Sequence, residues 1–135
     1  MTTVRLLLLT VYLAVASVPL AIDAAPPKFE SFTVNPRGQE NLKFTFSKAA
    51  ATSNDPIVIS VVGRKFTKED RTHRTDLQKV WLKENVPVEY AFVTRSLDDC
   101  GLKRKGEIAM CDHYRFKDKN TEREFSYFIY VGNWP

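Results

Sequence analysis

The sequence predicts a small antiparallel β-sandwich or barrel of six to seven strands, with at most one short helix and one disulfide. Three observations lead to this fold class. Short runs of β-branched and aromatic residues recur along the chain, turn-forming residues separate them, and there are only two cysteines. A content of 44% hydrophobic and 12% aromatic residues is enough to bury a core, which excludes disordered and collagen-like classes.

Residues 1–24 have the pattern of a secretory signal peptide. A single positive charge precedes an apolar stretch at 6–18, and small residues allow cleavage after residue 24, with cleavage after Ala16 as the alternative. Because Pro19 interrupts the apolar stretch, it falls short of the roughly 20 residues of a membrane span. We therefore expect one secreted domain over residues 25–135 with no membrane span.

The first half of this domain contains three predicted strands. Residues 29–34, 42–46 and 57–62 are rich in β-branched and aromatic residues, and the turn-forming segments 35–38 and 49–56 separate them. The second strand alternates apolar and polar residues, as a strand with one solvated face does. The third is apolar on both faces, so we expect it to be a central strand.

A charged connection and a helix follow. Residues 63–74 are mostly charged, so we expect a solvated and mobile connection. Thr75 and Gln78 match a capping box. Three apolar residues then recur at helical spacing: Leu77, Val80 and Trp81. This pattern predicts a short helix over 76–84, with a strand as the alternative because valine and tryptophan favour β structure.

Three more strands are predicted in the second half. Residues 86–92 alternate, and Pro87 within them indicates an edge strand or the start of a strand. Residues 107–116 and 124–131 are the other two, and the polar turn 117–121 joins them as a hairpin.

Cys100 and Cys111 flank a basic turn in the predicted secreted domain. An even number of cysteines in an exported chain favours a disulfide. A loop this short would stabilise the fold by roughly 2–3 kcal/mol. A zinc site that also uses His113 is the alternative, but the spacing follows no usual zinc motif. We therefore expect a disulfide, and neither a metal nor a cofactor.

Two surface features are candidates for binding. Lys103, Arg104 and Lys105 form a basic turn tethered by the predicted disulfide, which suits contact with a protein or a polyanion. Phe128 and Tyr130 lie on the second face of the last predicted strand. An exposed aromatic pair of this kind favours a protein interface.

A ribonuclease-like protein, or another protein that binds anions or nucleic acid, is the alternative. Such an enzyme needs a base, an acid and a cation. The residue types for these roles are present: Arg71, His73, Glu107, His113, Tyr114 and Arg115. No established hydrolase or metalloenzyme motif occurs, so we expect a non-enzymatic protein.

The chain resembles, in its build, the small secreted effector proteins of plant-pathogenic fungi. The shared features are a cleavable signal peptide, a short β-rich domain and a single disulfide. The resemblance implies a virulence factor that acts on a host protein or polyanion. It implies no particular site residue, because the shared pattern specifies none.

Overall fold

The structure is a computed structural model of the chain, and it describes residues 24–104 and 107–135. At residues 102–104 and 107–108 it describes the backbone alone. The predicted signal peptide, apart from Ala24, and Lys105 of the basic turn lie outside the described residues. Within the described ranges, no helix is both long enough and apolar enough to cross a membrane.

Six strands and one α-helix make up the described fold, which confirms the mainly β class. In chain order they are β1 (Phe32–Val34), β2 (Phe44–Phe46), β3 (Ile59–Val61), α1 (Arg74–Asn85), β4 (Tyr90–Arg104), β5 (Glu107–Asp118) and β6 (Glu124–Tyr130). A 3-10 helix over Glu69–His73 leads directly into α1. The predicted hairpin of the last two strands is β5–β6.

The strands form two antiparallel sheets of three strands each, in the orders β1–β2–β3 and β4–β5–β6. The central strand of the first sheet is therefore β2, and the prediction of a central strand at 57–62 is wrong. Ile57, at the start of that apolar run, forms a parallel bridge with Ile129 of β6. Its N–H donates to the Phe128 carbonyl at 2.9 Å, and its carbonyl accepts from the Tyr130 N–H at 2.8 Å. The run joins the two sheets through its backbone, and only one of its faces is buried, because Ile59 and Val61 are buried whereas Ser60 and Val62 are exposed.

One hydrophobic core takes side chains from both sheets and from α1. Alternation along β2 buries Phe44 and Phe46 completely. Trp81 of α1 is also fully buried, and its ring centroid lies 5.0 Å from that of Phe29 and 5.9 Å from that of Tyr127. Trp81 thus connects the start of the described chain, the helix and the last strand.

Helix α1 confirms the predicted helix but not its capping box. The N-cap residue is His73, and its side chain makes no capping hydrogen bond. Gln78 is fully buried instead of reaching back to the helix start, and Val80, expected in the core, is 37% exposed. The buried face consists of Leu77, Gln78, Trp81 and Leu82. The face is rotated from the predicted one because Gln78 hydrogen-bonds to the second sheet.

The charged connection before α1 is mostly exposed, as expected, and an ion pair with one buried partner joins two of its residues. Its mobility stays a prediction. Asp70 is 3% exposed and accepts two hydrogen bonds from the Arg64 guanidinium, at 2.7 and 3.0 Å. The Thr67 N–H donates to the same carboxylate at 2.7 Å. Phe66 stacks on Trp134 with ring centroids 3.9 Å apart. Phe66 also stacks on Phe44 of β2, so its ring holds the segment against the first sheet and the C-terminal residues.

We expect Asp70 to make the stability pH-dependent between about pH 4 and pH 2. Hydrogen bonding to Arg64 lowers the pKa of Asp70 from 3.8 to about 2. A carboxyl with a lowered folded-state pKa stabilises the fold above its unfolded pKa, and this contribution is lost as the pH falls through the folded pKa. Asp70→Asn should therefore lower the free energy of unfolding at neutral pH by about 2 kcal/mol.

Urea denaturation at several pH values checks this expectation. The wild type should lose stability more steeply than Asp70→Asn in this pH window, and Glu122→Gln, a change at an exposed carboxylate, should behave as the wild type. Parallel pH profiles for the wild type and Asp70→Asn would contradict the assigned role of Asp70.

The predicted disulfide between Cys100 and Cys111 is present, with Cα atoms 5.6 Å apart. It joins β4 to β5 close to the register irregularity between Asp99 and Lys103. Both cysteines are fully buried in a second small cluster with Tyr130. The bridge therefore fixes β4 to its neighbour at the point where regular pairing is interrupted.

Candidate functional site

Side-chain alternation divides the second sheet into a face packed against the core and an opposite face, which we call the outer face. Tyr114 and Phe116 of β5 enter the core. His113 and Arg115 alternate with them and lie on the outer face. In the antiparallel register, His113 is opposite Ser96 of β4, and Arg115 is opposite Ser126 of β6. Polar residues from three strands therefore meet on this face.

Three outer-face side chains form a hydrogen-bonded chain across the sheet, one from each strand. Asp98 Oδ2 lies 2.6 Å from His113 Nδ1, and Ser126 Oγ lies 2.8 Å from His113 Nε2. An ionised carboxylate only accepts hydrogen bonds, so we assign the proton to Nδ1, which donates to Asp98. Nε2 then accepts from the Ser126 hydroxyl. We call Asp98, His113 and Ser126 the outer-face triad.

Two further contacts hold the outer-face triad in place. Ser96 Oγ donates to Asp98 Oδ2 at 2.9 Å, and the Phe128 ring stacks on the His113 imidazole with centroids 4.2 Å apart. The hydrogen bond with His113, followed by that from Ser96, lowers the pKa of Asp98. The His113 side chain is 15% exposed, whereas Ser126 is exposed. The Asp98 side chain is 43% exposed, so solvent reaches both ends of the triad, and the imidazole between them is the most buried member.

Only part of the predicted ribonuclease-like set comes together. His113 and Arg115 share the outer face, but Tyr114 is buried on the opposite one. Successive residues of a strand face opposite sides, so these neighbours cannot act on one substrate. His73 lies at the start of α1, packed against the first sheet. Glu107 belongs to β5, in the part described by backbone alone.

Sequence reasoning missed Asp98 and Ser126. Residues 94–101 were not predicted as a strand, so the alternation of Ser96 and Asp98 on one face was not recognised. Their period-two spacing is the one local signal that could have placed them on a common face. Their proximity to His113 depends on the register of three strands, which local sequence does not specify.

The basic turn proposed for binding is described only in part. The backbone of Lys103 and Arg104 forms the end of β4, where Lys103 pairs with Ile108 and Arg104 pairs with Glu107. Lys105 lies outside the described residues. The binding role of this turn stays a prediction.

The predicted exposed aromatic pair is wrong for one of its two members. Phe128 is partly buried and stacked on His113. Tyr130 is 9% exposed and packs with the disulfide. The backbone of Gly132 approaches the Tyr130 ring so closely that a Cβ there would lie 2.5 Å from the tyrosine hydroxyl. Tyr130 is therefore a packing residue, and Phe128 alone retains a partly accessible surface.

Strand β4 is an edge of the second sheet and carries exposed apolar side chains. It pairs with β5 on one side, and no strand of the described chain pairs with its other side. Phe92, Val93 and Leu97 of β4 are 59%, 42% and 59% exposed, and Val88, in the turn before the strand, is 91% exposed. They make up four of the six exposed large hydrophobic residues among those described. We call these four residues, with the unpaired backbone of β4, the β4 edge.

A groove of about 350 Å³ lies beside the β4 edge, between β4 and α1. Phe92, Phe116 and Leu82 supply apolar lining. The charged residues of the lining are Lys79 and Arg95, and both are cationic. The groove therefore combines an apolar surface with positive charge.

Arg95 is held at this groove by a buried polar network. The Asp112 carboxylate accepts hydrogen bonds from Arg95 and from the Gln78 amide, each at 2.7 Å. The Tyr114 hydroxyl donates to Gln78 Oε1, and burial raises the pKa of Tyr114 to about 12. The guanidinium lies 5.5 Å from the centre of the Tyr114 ring. These contacts fix the position of the Arg95 cation before any partner arrives.

Two surfaces of the second sheet are thus candidate sites: the outer-face triad and the β4 edge with its groove. No family model, curated protein or solved structure matches the chain. The function of each surface is therefore argued from its own residues. The triad offers groups for proton transfer, and the β4 edge offers backbone and apolar groups for contact.

Proposed function

We propose that the protein is an exported binding protein that captures an extended segment of a partner protein along the β4 edge. The observation that carries this proposal is the concentration of exposed apolar side chains on one unpaired edge strand. An edge strand presents backbone donors and acceptors with which another strand can pair. Proteins usually cover, shorten or charge such an edge, and β4 keeps three large apolar side chains exposed beside the charged Arg95, Asp98 and Asp99, which favours a binding role.

The regular part of β4 indicates where the partner strand would pair. Residues 94–99 pair with β5 without a register shift, between one irregularity at 92–94 and another at 99–103. Leu97 lies within this stretch and is 59% exposed. A strand added here would form backbone hydrogen bonds along the stretch and cover Leu97.

The groove supports a preference for acidic, apolar segments. An apolar partner side chain can pack on Phe92 and Phe116, while a neighbouring carboxylate meets Lys79 and Arg95. Because Asp112 already holds Arg95 in place, less conformational entropy is lost on binding. The basic turn that begins at Lys103 is the second contact that we propose for such a partner.

Several features support export and a host partner. Residues 1–24 have a signal-peptide pattern, and a disulfide persists best in an oxidising compartment. The resemblance in build to fungal effectors supports a host protein as the target and virulence as the role. The core shared by both sheets supports the finer proposal that they pack as a sandwich.

Binding of fluorescent ten-residue peptides tests the proposed function. The probes alternate valine and threonine, and they carry either aspartate or lysine at both ends. Fluorescence anisotropy with the purified, disulfide-bonded full chain should show binding of the acidic probe, and about tenfold weaker binding of the basic one. N-methylation of alternate amides in the acidic probe should abolish binding, because it removes the donors that pair with β4.

A matched pair of variants locates the binding surface. Leu97→Lys places a charge on the β4 edge and should weaken binding of the acidic probe about tenfold. Val62→Lys makes the same change at a valine that is 51% exposed and distant in sequence from β4, and it should leave binding unchanged. Equal affinities for both variants, or no binding of either probe, would contradict the proposal. A wild-type dimer that Leu97→Lys dissociates would assign the edge to a second copy instead.

A further inference from the structure

We propose that the outer-face triad makes Ser126 a nucleophile that small activated esters acylate. This inference does not depend on the binding function, because it uses the outer face of the sheet rather than the free side of β4. It assigns His113 as the general base and Asp98 as the residue that positions it.

The hydrogen bonds of the triad run in the direction that nucleophile activation requires. The Ser126 hydroxyl faces His113 Nε2 at 2.8 Å, and Nδ1 faces the Asp98 carboxylate at 2.6 Å. Nε2 can therefore take the hydroxyl proton as the oxygen attacks, while Asp98 holds the tautomer and stabilises the imidazolium. Stacking on Phe128, with ring planes 13° apart, restricts rotation of the imidazole.

Asp98 is itself held so that it can position His113. Its Oδ2 accepts hydrogen bonds from both the imidazole and Ser96. Both contacts lower the pKa of Asp98, so this carboxyl stays ionised at neutral pH. An ionised carboxylate on Nδ1 is the arrangement that keeps Nε2 free to accept a proton.

Arg115 supplies positive charge near the attacked carbonyl. It is the register partner of Ser126 on the neighbouring strand, and directly opposed residues have Cβ atoms about 5 Å apart. Its side chain is 44% exposed, and its ion pair with Glu124 is long, at 3.8 Å. Because exposed ion pairs are weak, Glu124 restrains the Arg115 guanidinium only slightly. We assign the guanidinium as the group that stabilises the oxyanion.

The exposure of Ser126 indicates the substrate class. An exposed hydroxyl is accessible to small reagents but provides little binding energy for them. Reactivity should therefore depend on a good leaving group, as in aryl esters, and the rate should rise with ester concentration without ready saturation.

A suitable substrate for the acylation step is the activated ester p-nitrophenyl acetate. Ser126 Oγ bonds to the carbonyl carbon while its proton moves to His113 Nε2. The bond from that carbon to the phenolic oxygen breaks, and its electron pair leaves with p-nitrophenolate. His113 then loses this proton to solvent, which restores the neutral imidazole. In deacylation, water bonds to the acetyl carbon and gives a proton to His113 Nε2. Ser126 Oγ then leaves and recovers that proton, and acetic acid is released.

Labelling by a fluorophosphonate tests the inference on the purified full chain. Mass spectrometry should find one phosphonyl group on Ser126, formed with loss of fluoride. His113→Ala should slow the labelling about a hundredfold, because a general base contributes on this scale. Ser126→Ala should remove the label, whereas Ser60→Ala, a change at an exposed serine of the first sheet, should leave labelling unchanged.

Conservative variants separate positioning from folding. Asp98→Asn should slow labelling about tenfold, and Asp98→Glu, which keeps the carboxylate, should retain more of the rate. Thermal unfolding of each variant shows whether it is folded, and the Asp98 pair is informative if His113→Ala does not fold.

An unlabelled wild-type Ser126, while trypsin labels fully in the same reaction, would overturn the inference. So would equal labelling rates in folded wild type and His113→Ala. RNA cleavage that needs His113 and survives Ser126→Ala would also overturn it, and would assign His113 to ribonuclease-like chemistry.

Discussion

Replacing Asp112 with alanine is expected to destabilise the protein by about 3–5 kcal/mol. Asp112 is 3% exposed and accepts hydrogen bonds from the fully buried Gln78 and from Arg95. Without the carboxylate, a buried amide and a guanidinium lose their acceptor, and the cost of removing them from water is no longer offset. Urea denaturation of the wild type and of Asp112→Ala measures the difference.

A double-variant cycle shows whether the loss comes from the unpaired partner. Replacing both Asp112 and Gln78 with leucine should cost less than the sum of the two single leucine replacements, because the hydrogen bond between these two side chains is lost only once and neither of them is left facing an apolar partner. Asp55→Ala, at a carboxylate whose side chain is 38% exposed, is the control for removing a less buried acid. A loss below about 1 kcal/mol for Asp112→Ala would show that the network adds little stability.

Replacing Trp81 with alanine should destabilise the fold by a comparable amount, about 3–5 kcal/mol. Trp81 is fully buried and contacts Phe29 and Tyr127. Truncation leaves a cavity where the helix, the start of the described chain and β6 meet. Circular dichroism during urea denaturation measures the effect without relying on tryptophan fluorescence.

Trp81→Phe separates the volume of this side chain from its polar group. The indole N–H is buried and has no hydrogen-bond partner among the described residues. Phenylalanine removes this N–H, which recovers part of a penalty of about 1–3 kcal/mol for a buried unpaired donor. Trp81→Phe should therefore cost less than half as much as Trp81→Ala. Equal losses for the two variants would contradict this account of the indole.

Local patterns predicted most of the strands and the helix. The alternation around Phe44 and Phe46, the hairpin of β5 and β6, and the helix over most of 74–85 depend on short-range periodicity, which the sequence displays directly. The disulfide could be predicted because the chain has no other cysteine with which either partner could pair. Each of these features depends on the pattern within a short segment or on the number of cysteines.

Partners that are distant in the chain account for the errors. Gln78 looked like a capping residue until Asp112 and Tyr114, far along the chain, provided hydrogen-bond partners for a buried amide. Phe66 belongs to a mostly exposed, charged segment, yet its ring stacks on Trp134 near the end of the chain. In each case, tertiary contacts overrode a plausible local preference.

The candidate site was the least predictable feature. His113 could be identified as a candidate from its residue type alone. Its two hydrogen-bond partners lie on other strands, and their positions follow from the register of β4, β5 and β6. A shift of one residue in β4 would move Asp98 to the opposite face and break the chain of hydrogen bonds. Residue types alone therefore suggested a ribonuclease-like set, and only the register placed a serine and an aspartate around the histidine.

The bridge between Ile57 and Ile129 also bears on how the chain folds. It joins positions separated by more than half of the sequence, and the Asn133 side chain makes a similar long connection by donating to the Ile59 carbonyl at 2.8 Å. Such non-local contacts require a large loop to close before they return any stabilisation, which slows folding to about milliseconds or longer. A nascent chain that still lacks β6 cannot complete its second sheet or its core. Cooperative folding is therefore expected only after β6 has been synthesised. Chaperones that cover the incomplete apolar surfaces would act before that point.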